Sequence, residues 1–490
     1  MAGFRLIDTV KPFLPFLPEV ELPYEKLQFD DKVLYTVFIG LIYLFAQLPL
    51  AGIEKDIVPT INDPIYFLRG AFAAEPRSLL EFGIFPIFST GLIMQLLAGL
   101  KVIKVNFKLQ KDRELFQSFT KLMIFVQYFI FANVFILAGY YGTGLTIFQI
   151  AVLNFQLVGA GVVATLLVEI IDKGFGFTSG PMVINTIAIA TNTIADIIGV
   201  SQIKIDDEGH TEAQGALINL VQGFRAKHKT ILGSIVSAFN RDYLPNLTTA
   251  VIVLIIGAVV CYFQNFRVEL PIRSTRARAS NTVYPVRLLN VASLSLSFSY
   301  SLLFYIHMTA FALLTLVGKN DPSNIVCKIL GHYENVNNIL AVPTFPLSMF
   351  APPRSFFGGL VQAPLSFVVF PAFIIVTGVW FAYKWQGISG QSARDLAVDF
   401  KEQGLTLAGR REQNVAKELD KPISLASATG AAVLAAIAIA GELLGLKGKA
   451  TSMVIGICGG FSLLELITLD YQQNGSGSSL SQVLGAPTNM

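Results

Sequence analysis

The chain is short of charge. Asp, Glu, Lys and Arg make up 14% of its 490 residues, against ~25% in a soluble globular protein. Hydrophobic residues reach 53% and the mean hydropathy is +0.60. So little charge can neither cover soluble domains of this total length nor keep the chain unfolded, which excludes an ordinary soluble enzyme and a disordered regulator. Cysteine is scarce too. Cys261, Cys327 and Cys458 are widely spaced and odd in number, and two of them fall inside apolar runs, so no disulfide framework is expected. A net charge of +3 is too small to predict a nucleic-acid partner. The N-terminus lacks the pattern of a cleaved signal: Arg5, Asp8 and Lys11 recur among its apolar residues and Pro12, Pro15 and Pro18 interrupt it. Residues 4–17 read instead as an amphipathic surface helix.

What is present is a series of apolar runs separated by short charged stretches. A hydrocarbon core of ~30 Å takes ~20 apolar helical residues to cross, so each run is a candidate span. Ten are predicted, near 33–50, 79–100, 118–139, 147–168, 181–200, 247–264, 290–316, 365–383, 423–444 and 451–469. The fold class is an all-α polytopic membrane protein with ten transmembrane helices. Lys and Arg concentrate in the alternate loops that share a side with the N-terminus, which places both termini in the cytoplasm. On the opposite side, the loop 201–246 should carry helical pieces. The loop 318–364, with Pro322, Pro343, Pro346, Pro352, Pro353 and Pro364, should be ordered but irregular. The Gly/Ser-rich tail 474–490 should be disordered.

Five spans precede the 201–246 loop and five follow it. An odd-numbered half, duplicated, must sit in the membrane with inverted topology, and such repeats frame a pathway at their interface. Interrupted helices at matching positions mark that pathway. The second span has Pro86, Ser89, Thr90 and Gly91, and its counterpart, the seventh, reads ASLSLSFSYS over 292–301. The fifth is approached through Gly174, Gly176, Gly180 and Pro181, and its counterpart, the tenth, holds Gly456, Gly459 and Gly460. Close helix packing explains the same glycines equally well.

The predicted membrane interior lacks ionisable groups. Glu81, Lys121, Glu169, Asp172, Asp196, Glu442, Glu465 and Asp470 fall near span ends, and His307 is the one deep titratable residue. A coupled transporter, proton pump or intramembrane hydrolase needs such a group near the bilayer centre. A lone helical histidine is more often a packing residue, and a Ser462 nucleophile served by His307 would have no third group to orient it. HExxH, paired mid-membrane aspartates and a P-loop are all missing; no catalytic residue, metal or cofactor is expected. An apolar constriction can close a pore by dewetting, with no binding site. Ile84 and Phe88 beside Pro86, with Ile184 and Ile455, suit that role, although spacing alone favours ordinary apolar packing.

Residues 62–72, NDPIYFLRGAF, can form a short helix capped by Asn62 or Asp63 with Pro64 at its first position. It is too short to span and too apolar for water, so it should fold back into the protein as a re-entrant segment. Two loops on the basic side are more than connectors. In 267–287, Arg273, Arg276 and Arg278 alternate after Pro271, as on a projecting hairpin. In 385–421, a helix from about Ala393 precedes Arg410 and Arg411 at a turn. Topology charge suffices for most of these residues, but arginine rather than lysine at all five positions favours recognition of RNA phosphates or anionic lipid heads.

ELPIRSTRAR followed by YPVRLL, DKGFGFTSG, DPIYFLR, LLEFGIFPI, KDRELFQ, ISGQSARDLA and GRRE together resemble the SecY family over nearly the whole chain. Within it, the chain is similar to the eukaryotic Sec translocon α subunits, and most of all to the second, cotranslational-type α subunit of yeasts. The resemblance implies two inverted five-helix halves around a central hourglass pore, with a plug, an apolar pore ring and a lateral gate between the second/third and seventh/eighth spans. Carried over, the plug is Asp63, Pro64, Ile65, Tyr66, Phe67, Leu68, Arg69, Gly70, Ala71 and Phe72. The ring is Ile84, Phe88, Pro181, Asn185, Ser297 and Ile455, with Ile184 beside it. The ribosome-facing arginines are Arg276, Arg278 and Arg411, with Arg273 and Arg410 alongside. The gate includes Ser89 and Thr90, with Gln127, Asn133, Ser299 and Tyr305 across it. Three departures from the family pattern stand out: Asn185 and Ser297 interrupt an aliphatic ring, Thr178 replaces a glycine, and Tyr305 replaces a gate asparagine.

The resemblance thus implies a pore-forming subunit, without bond chemistry of its own, that translocates nascent polypeptides across the endoplasmic reticulum membrane and integrates membrane proteins into it. The implied partners are small β- and γ-type Sec membrane subunits in a heterotrimer, the ribosome with its rRNA, signal sequences and nascent chains, and membrane lipids. The alternative is an inverted-repeat small-solute transporter, which requires a midplane charge. The expected organisation is a cytoplasmic N-terminus at 1–31, a first half at 32–200 with the plug at 60–72, and a lumenal loop at 201–246. A second half follows at 247–470, with cytoplasmic loops 265–289 and 384–421, then a tail at 471–490.

Overall fold

The computed structural model describes the chain apart from residues 1–4, 53–61, 143, 178, 205–210, 226–230, 240, 242–243, 275–280, 290, 337–339, 391, 408–414 and 475–490. The elements that build it are α1 (Phe29–Phe45), α2 (Phe85–Gly99), α3 (Gln110–Leu137), α4 (Ile147–Ile170), α5 (Gly180–Ile198), α6 (Leu247–Gln264), α7 (Ala292–Ala312), α8 (Ser366–Gln386), α9 (Val415–Leu443) and α10 (Lys449–Asn474). Among the described residues, eight helices are long and apolar enough to cross a membrane by length and composition. The helices over the first two expected spans fall short of that, at 17 and 15 residues.

The short second helix has a local cause. It starts at Phe85 rather than 79 because Gly83 takes φ +51° and Pro86 occupies the first turn. A left-handed residue cannot continue a helix, and proline is tolerated only where its missing N–H is not needed. At its far end α1 stops at Phe45, and Pro49 then bridges to Ser78. α9 starts early, at Val415, because Leu419 and Ile423 extend its apolar face onto a small sheet outside the helix bundle.

Packing repeats between the halves. α1 meets α5 as α6 meets α10; α2 meets α3 as α7 meets α8; α3 meets α4 as α8 meets α9. The pairs α4–α5 and α1–α4 likewise recur as α9–α10 and α6–α9. Two equivalent five-helix units therefore face each other, meeting along α5–α10 on one side and α2–α7 on the other. The N-terminal residues Leu6–Phe16 form a 3-10 helix laid against this frame. Its Ile7 and Val10 are fully buried among Met94, Ala98, Leu115, Phe116 and Phe119, and Arg5 pairs with Asp112 at 3.0 Å.

Candidate functional site

The segment 63–72 enters the protein between the two units. Its start is held by the loop between α7 and α8, where strands Tyr333–Val336 and Leu340–Pro343 form a hairpin. Asp63 bridges to Leu340 in parallel, the Ala341 amide donates to the Asp63 carbonyl at 3.0 Å, and the Asn62 amide donates to Asn335 Oδ1 at 3.1 Å. The Asp63 carboxylate caps the Ile65 amide at 3.2 Å and, with Glu81, brackets Arg69. Arg69 donates to Asp63 Oδ2 at 2.6 Å, to Asp63 Oδ1 at 2.9 Å, to the Glu81 carbonyl at 2.6 Å and to the Glu81 carboxylate. Glu81 also accepts from the Arg77 amide at 2.6 Å and the Tyr141 hydroxyl at 3.1 Å. Charges buried this deeply persist only when paired and hydrogen-bonded. Beyond the segment, Tyr43 donates to the Ala73 carbonyl at 2.9 Å. Gly83 approaches the Phe72–Ala73 backbone, and Gly448 that of Phe67, so closely that a Cβ at either would collide.

The segment's apolar side chains are sealed in. Ile65, Phe67, Leu68, Ala71 and Phe72 are at most 1% exposed. They share one core with Ile84, Ile184 and Ile455, and half-buried Phe88 packs on it. Phe72 meets Phe85, Phe88 and Phe304 at ring distances of 5.0, 6.1 and 6.2 Å. Asn185 turns to the segment and donates to the Ala71 carbonyl at 2.9 Å. Ser297 is buried, and its carbonyl accepts from the Ser301 hydroxyl at 2.8 Å. Pro181 is half-buried in the first turn of α5. His307 is a packing residue: its ring meets Phe67 edge-on at 5.1 Å and its Nε2 meets the Phe350 carbonyl at 3.2 Å. A cavity of about 590 Å³ lies beside the segment, bounded by Asp63, Arg69, Glu75, Arg77, Asp196 and Lys449.

Along the α2–α7 contact, four polar side chains from three helices form one group. Tyr305 of α7 donates to Ser89 of α2 at 2.9 Å, Gln127 of α3 donates to the Tyr305 oxygen at 2.9 Å, and Thr90 donates to Gln127. Next to them Phe85 stacks on Phe304 at 3.7 Å, and Leu92 and Leu96 pack with Phe298 and Phe381. Two residues read from the sequence as gate residues do not join this group. Asn133 lies farther along α3, where it donates to the Phe129 carbonyl at 2.8 Å and accepts from Asn154 of α4 at 3.2 Å. Ser299 faces α8, donating to the Ile374 carbonyl at 3.2 Å and accepting from Thr377 at 2.9 Å. Helical spacing assigns residues to a face and leaves open which neighbour that face meets.

The two basic loops share one sheet. β1 (Arg267–Ser274) and β2 (Asn281–Arg287) form a hairpin, and β3 (Leu405–Leu407) of the second loop pairs with β1, setting Arg273 against both Asn281 and Thr406. Helix Ala393–Glu402 and the start of α9 cover the sheet, with Phe400, Leu419 and Ile423 against Ile272. Arg287 at the end of β2 forms a bidentate pair with Glu465 of α10. Arg273 is exposed. Arg276, Arg278, Arg410 and Arg411 lie outside the described residues, as does Thr178.

Sequence reasoning missed the bracket around Arg69 and the third strand. An arginine inside an apolar re-entrant segment was the signal for the first, since such a charge must find partners. A three-residue strand carries no comparable signal. The charges near span ends are also paired: Lys121 with Glu169 at 2.6 Å, Lys449 with Asp196 at 2.6 Å and Lys32 with Asp470 at 3.0 Å.

Known proteins share this arrangement. The SecY family profile matches residues 78–472, and the plug domain of Sec61p matches residues 41–76. The chain is 67% identical to the Sec sixty-one protein homolog of Saccharomyces cerevisiae over the full length of both. It is 35% identical to the protein transport protein SEC61 subunit alpha of Yarrowia lipolytica, over 93% of this chain and 96% of that one. Among solved structures it matches a chain of the idle yeast Ssh1 complex bound to the yeast 80S ribosome, with a TM-score of 0.79, 67% identity and full coverage of both chains. A protein-conducting channel at 21% identity shares the fold, with a TM-score of 0.76 over 98% of this chain and 100% of that one. Full-length identity at this level, on a frame of two matched helix units with a buried re-entrant segment, places the chain in the SecY family.

Proposed function

We propose that this chain is the pore-forming subunit of a channel that translocates nascent polypeptides across the endoplasmic reticulum membrane and integrates membrane proteins into it, docked to the ribosome and mainly during translation. The observation that carries this reading is the segment 63–72, an apolar stopper seated among side chains of both helix units and bracketed by charges. When it withdraws, Ile84, Phe88, Pro181, Ile184, Asn185, Ser297 and Ile455 close around the passing chain, because an apolar constriction needs no binding site for its cargo. Asn185, polar in an otherwise apolar ring, serves the plugged state through the Ala71 carbonyl. Ser89, Thr90, Gln127 and Tyr305 form the seam through which apolar segments leave for lipid, while Asn133 and Ser299 brace the helices behind it.

Arg273, Arg276, Arg278, Arg410 and Arg411 meet ribosomal RNA, in keeping with a relative captured on a ribosome. α1 and α2 complete ten spans, both termini are cytoplasmic, and small β- and γ-type subunits complete a heterotrimer. The chain makes and breaks no bond; the docked ribosome or another motor supplies the work. Reconstituted into liposomes with those subunits, it should carry a ribosome-bound nascent chain into a protease-protected interior. Ribosomes that bind while the nascent chain stays fully digestible would overturn the reading.

A further inference from the structure

We infer that the loop between α5 and α6 is a lipid-seated hairpin: its helices Ala216–Arg225 and Ile231–Phe239 lie in the outer membrane interface and bury their outward faces among phospholipid acyl chains. Hydrogen bonds to the ends of two spans set their depth. Just past the end of α5, the Gly199 carbonyl accepts from the Gly215 amide at 2.9 Å, and the Gln214 amide donates to the Ser201 carbonyl at 2.8 Å. Gly215 runs so close to Gly199 that a Cβ on it would strike the Gly199 backbone. The first helix therefore begins level with the last turn of α5. At the other end, Thr248 in the first turn of α6 donates to the Phe239 carbonyl at 3.0 Å. Both ends of the pair are pinned at the edge of the membrane.

At that depth the uncovered face is apolar. Leu217, Val221 and Phe224 share one face of the first helix, at 40%, 61% and 49% exposure, and Ile235, Val236 and Phe239 are exposed on the second. The first helix also packs inward on α5, α6 and the second helix. Asn219 and Gln222 share the opposite side of the helix, the pattern of an amphipathic helix lying in a membrane interface with its polar side toward water. The stripe continues into exposed Ile194, Ile198 and Val200 at the end of α5 and Val251, Leu254 and Ile255 of α6. That continuity with a span surface makes acyl chains the occupant, since interfacial helices bury such faces at the boundary of headgroups and hydrocarbon. The bilayer then holds the crossing between the two helix units in place. This inference rests on α5 and α6 being spans.

Single cysteines at Val221, Phe224 and Val236 test it, each bearing a bimane label in the full-length chain purified with its membrane subunits and placed in phosphatidylcholine nanodiscs. Leu254→Cys reports a span and Gln222→Cys the neighbouring polar position. Doxyl-labelled lipid should quench the three hairpin labels about threefold more than aqueous iodide does, as for Leu254→Cys, with the order reversed at Gln222→Cys. Iodide quenching of the hairpin labels with Leu254→Cys still lipid-quenched would overturn the hairpin alone. Iodide quenching at Leu254→Cys too would overturn the span reading and this inference with it. Hairpin positions open to iodide in nanodiscs but shielded from thiol reagents in intact microsomes would mean a lumenal protein covers the face, which also overturns it.

Discussion

Arg69 sets the terms on which segment 63–72 stays in place. Its guanidinium pairs with both Asp63 and Glu81, and both carboxylates are buried. Arg69→Met keeps most of the volume and removes the charge, and breaking one partner out of a buried ion pair costs about 3–5 kcal/mol. That penalty falls on the seated segment, because withdrawal returns Asp63 to water. The idle channel should therefore leak, seen as raised ion conductance in planar bilayers, and adding Asp63→Asn to Arg69→Met should recover part of the seal. Conductance unchanged in Arg69→Met would show that apolar burial alone seats the segment. Asn185 and Tyr305 were legible in the sequence as anomalies, a polar residue in an otherwise aliphatic ring and a tyrosine in place of an asparagine. Their partners were not, since the Ala71 carbonyl and Ser89 come from segments far away in the chain.

Between elements, the two contacts that join the units are built differently. On the α5–α10 side, Gly456 and Gly459 approach Ile189 and Thr186 too closely to admit a Cβ, and Lys449–Asp196 and Lys32–Asp470 pair at opposite ends of α10. The α2–α7 side rests on stacked aromatic rings and a few hydroxyls, contacts that separate without stranding a charge. Tyr305→Phe removes two hydrogen bonds there, each worth about 0.5–1.5 kcal/mol, so opening should become several-fold easier. In a graded Leu/Ala series of test segments, integration into lipid should then begin at fewer leucines; an unmoved midpoint would show that these bonds do not gate the exit. Conversely, a disulfide between Leu92→Cys and Phe298→Cys should block integration while leaving ribosome binding intact. The helices themselves were readable because a bilayer demands a fixed length of apolar residues. Their edges were not where Gly83 and Pro86 cut the pattern short, nor where α9 starts ahead of its apolar run to cover a sheet.

Across the whole molecule, β3 decides whether docking is one event or two. The basic loops sit far apart in sequence and look independent there, yet pairing of Leu405–Leu407 with Ile272–Ser274 makes them edges of one sheet, tied to α10 through Arg287 and Glu465. Arginines that meet phosphates release counterions, so ribosome affinity should fall steeply with salt. Arg276→Glu and Arg411→Glu should each weaken binding and flatten that salt dependence, with assembly of the complex unchanged. Thr406→Pro separates charge from placement. It leaves every arginine in the chain but removes a backbone donor from the short strand opposite Arg273, letting the second loop drift from the first. If the sheet presents both loops as one surface, Thr406→Pro should lose about as much ribosome affinity as Arg411→Glu while keeping the parent's salt slope. Binding at parental strength in Thr406→Pro, with both charge reversals still damaging, would mean that the loops grip the ribosome separately and that the shared sheet serves only the packing of α9.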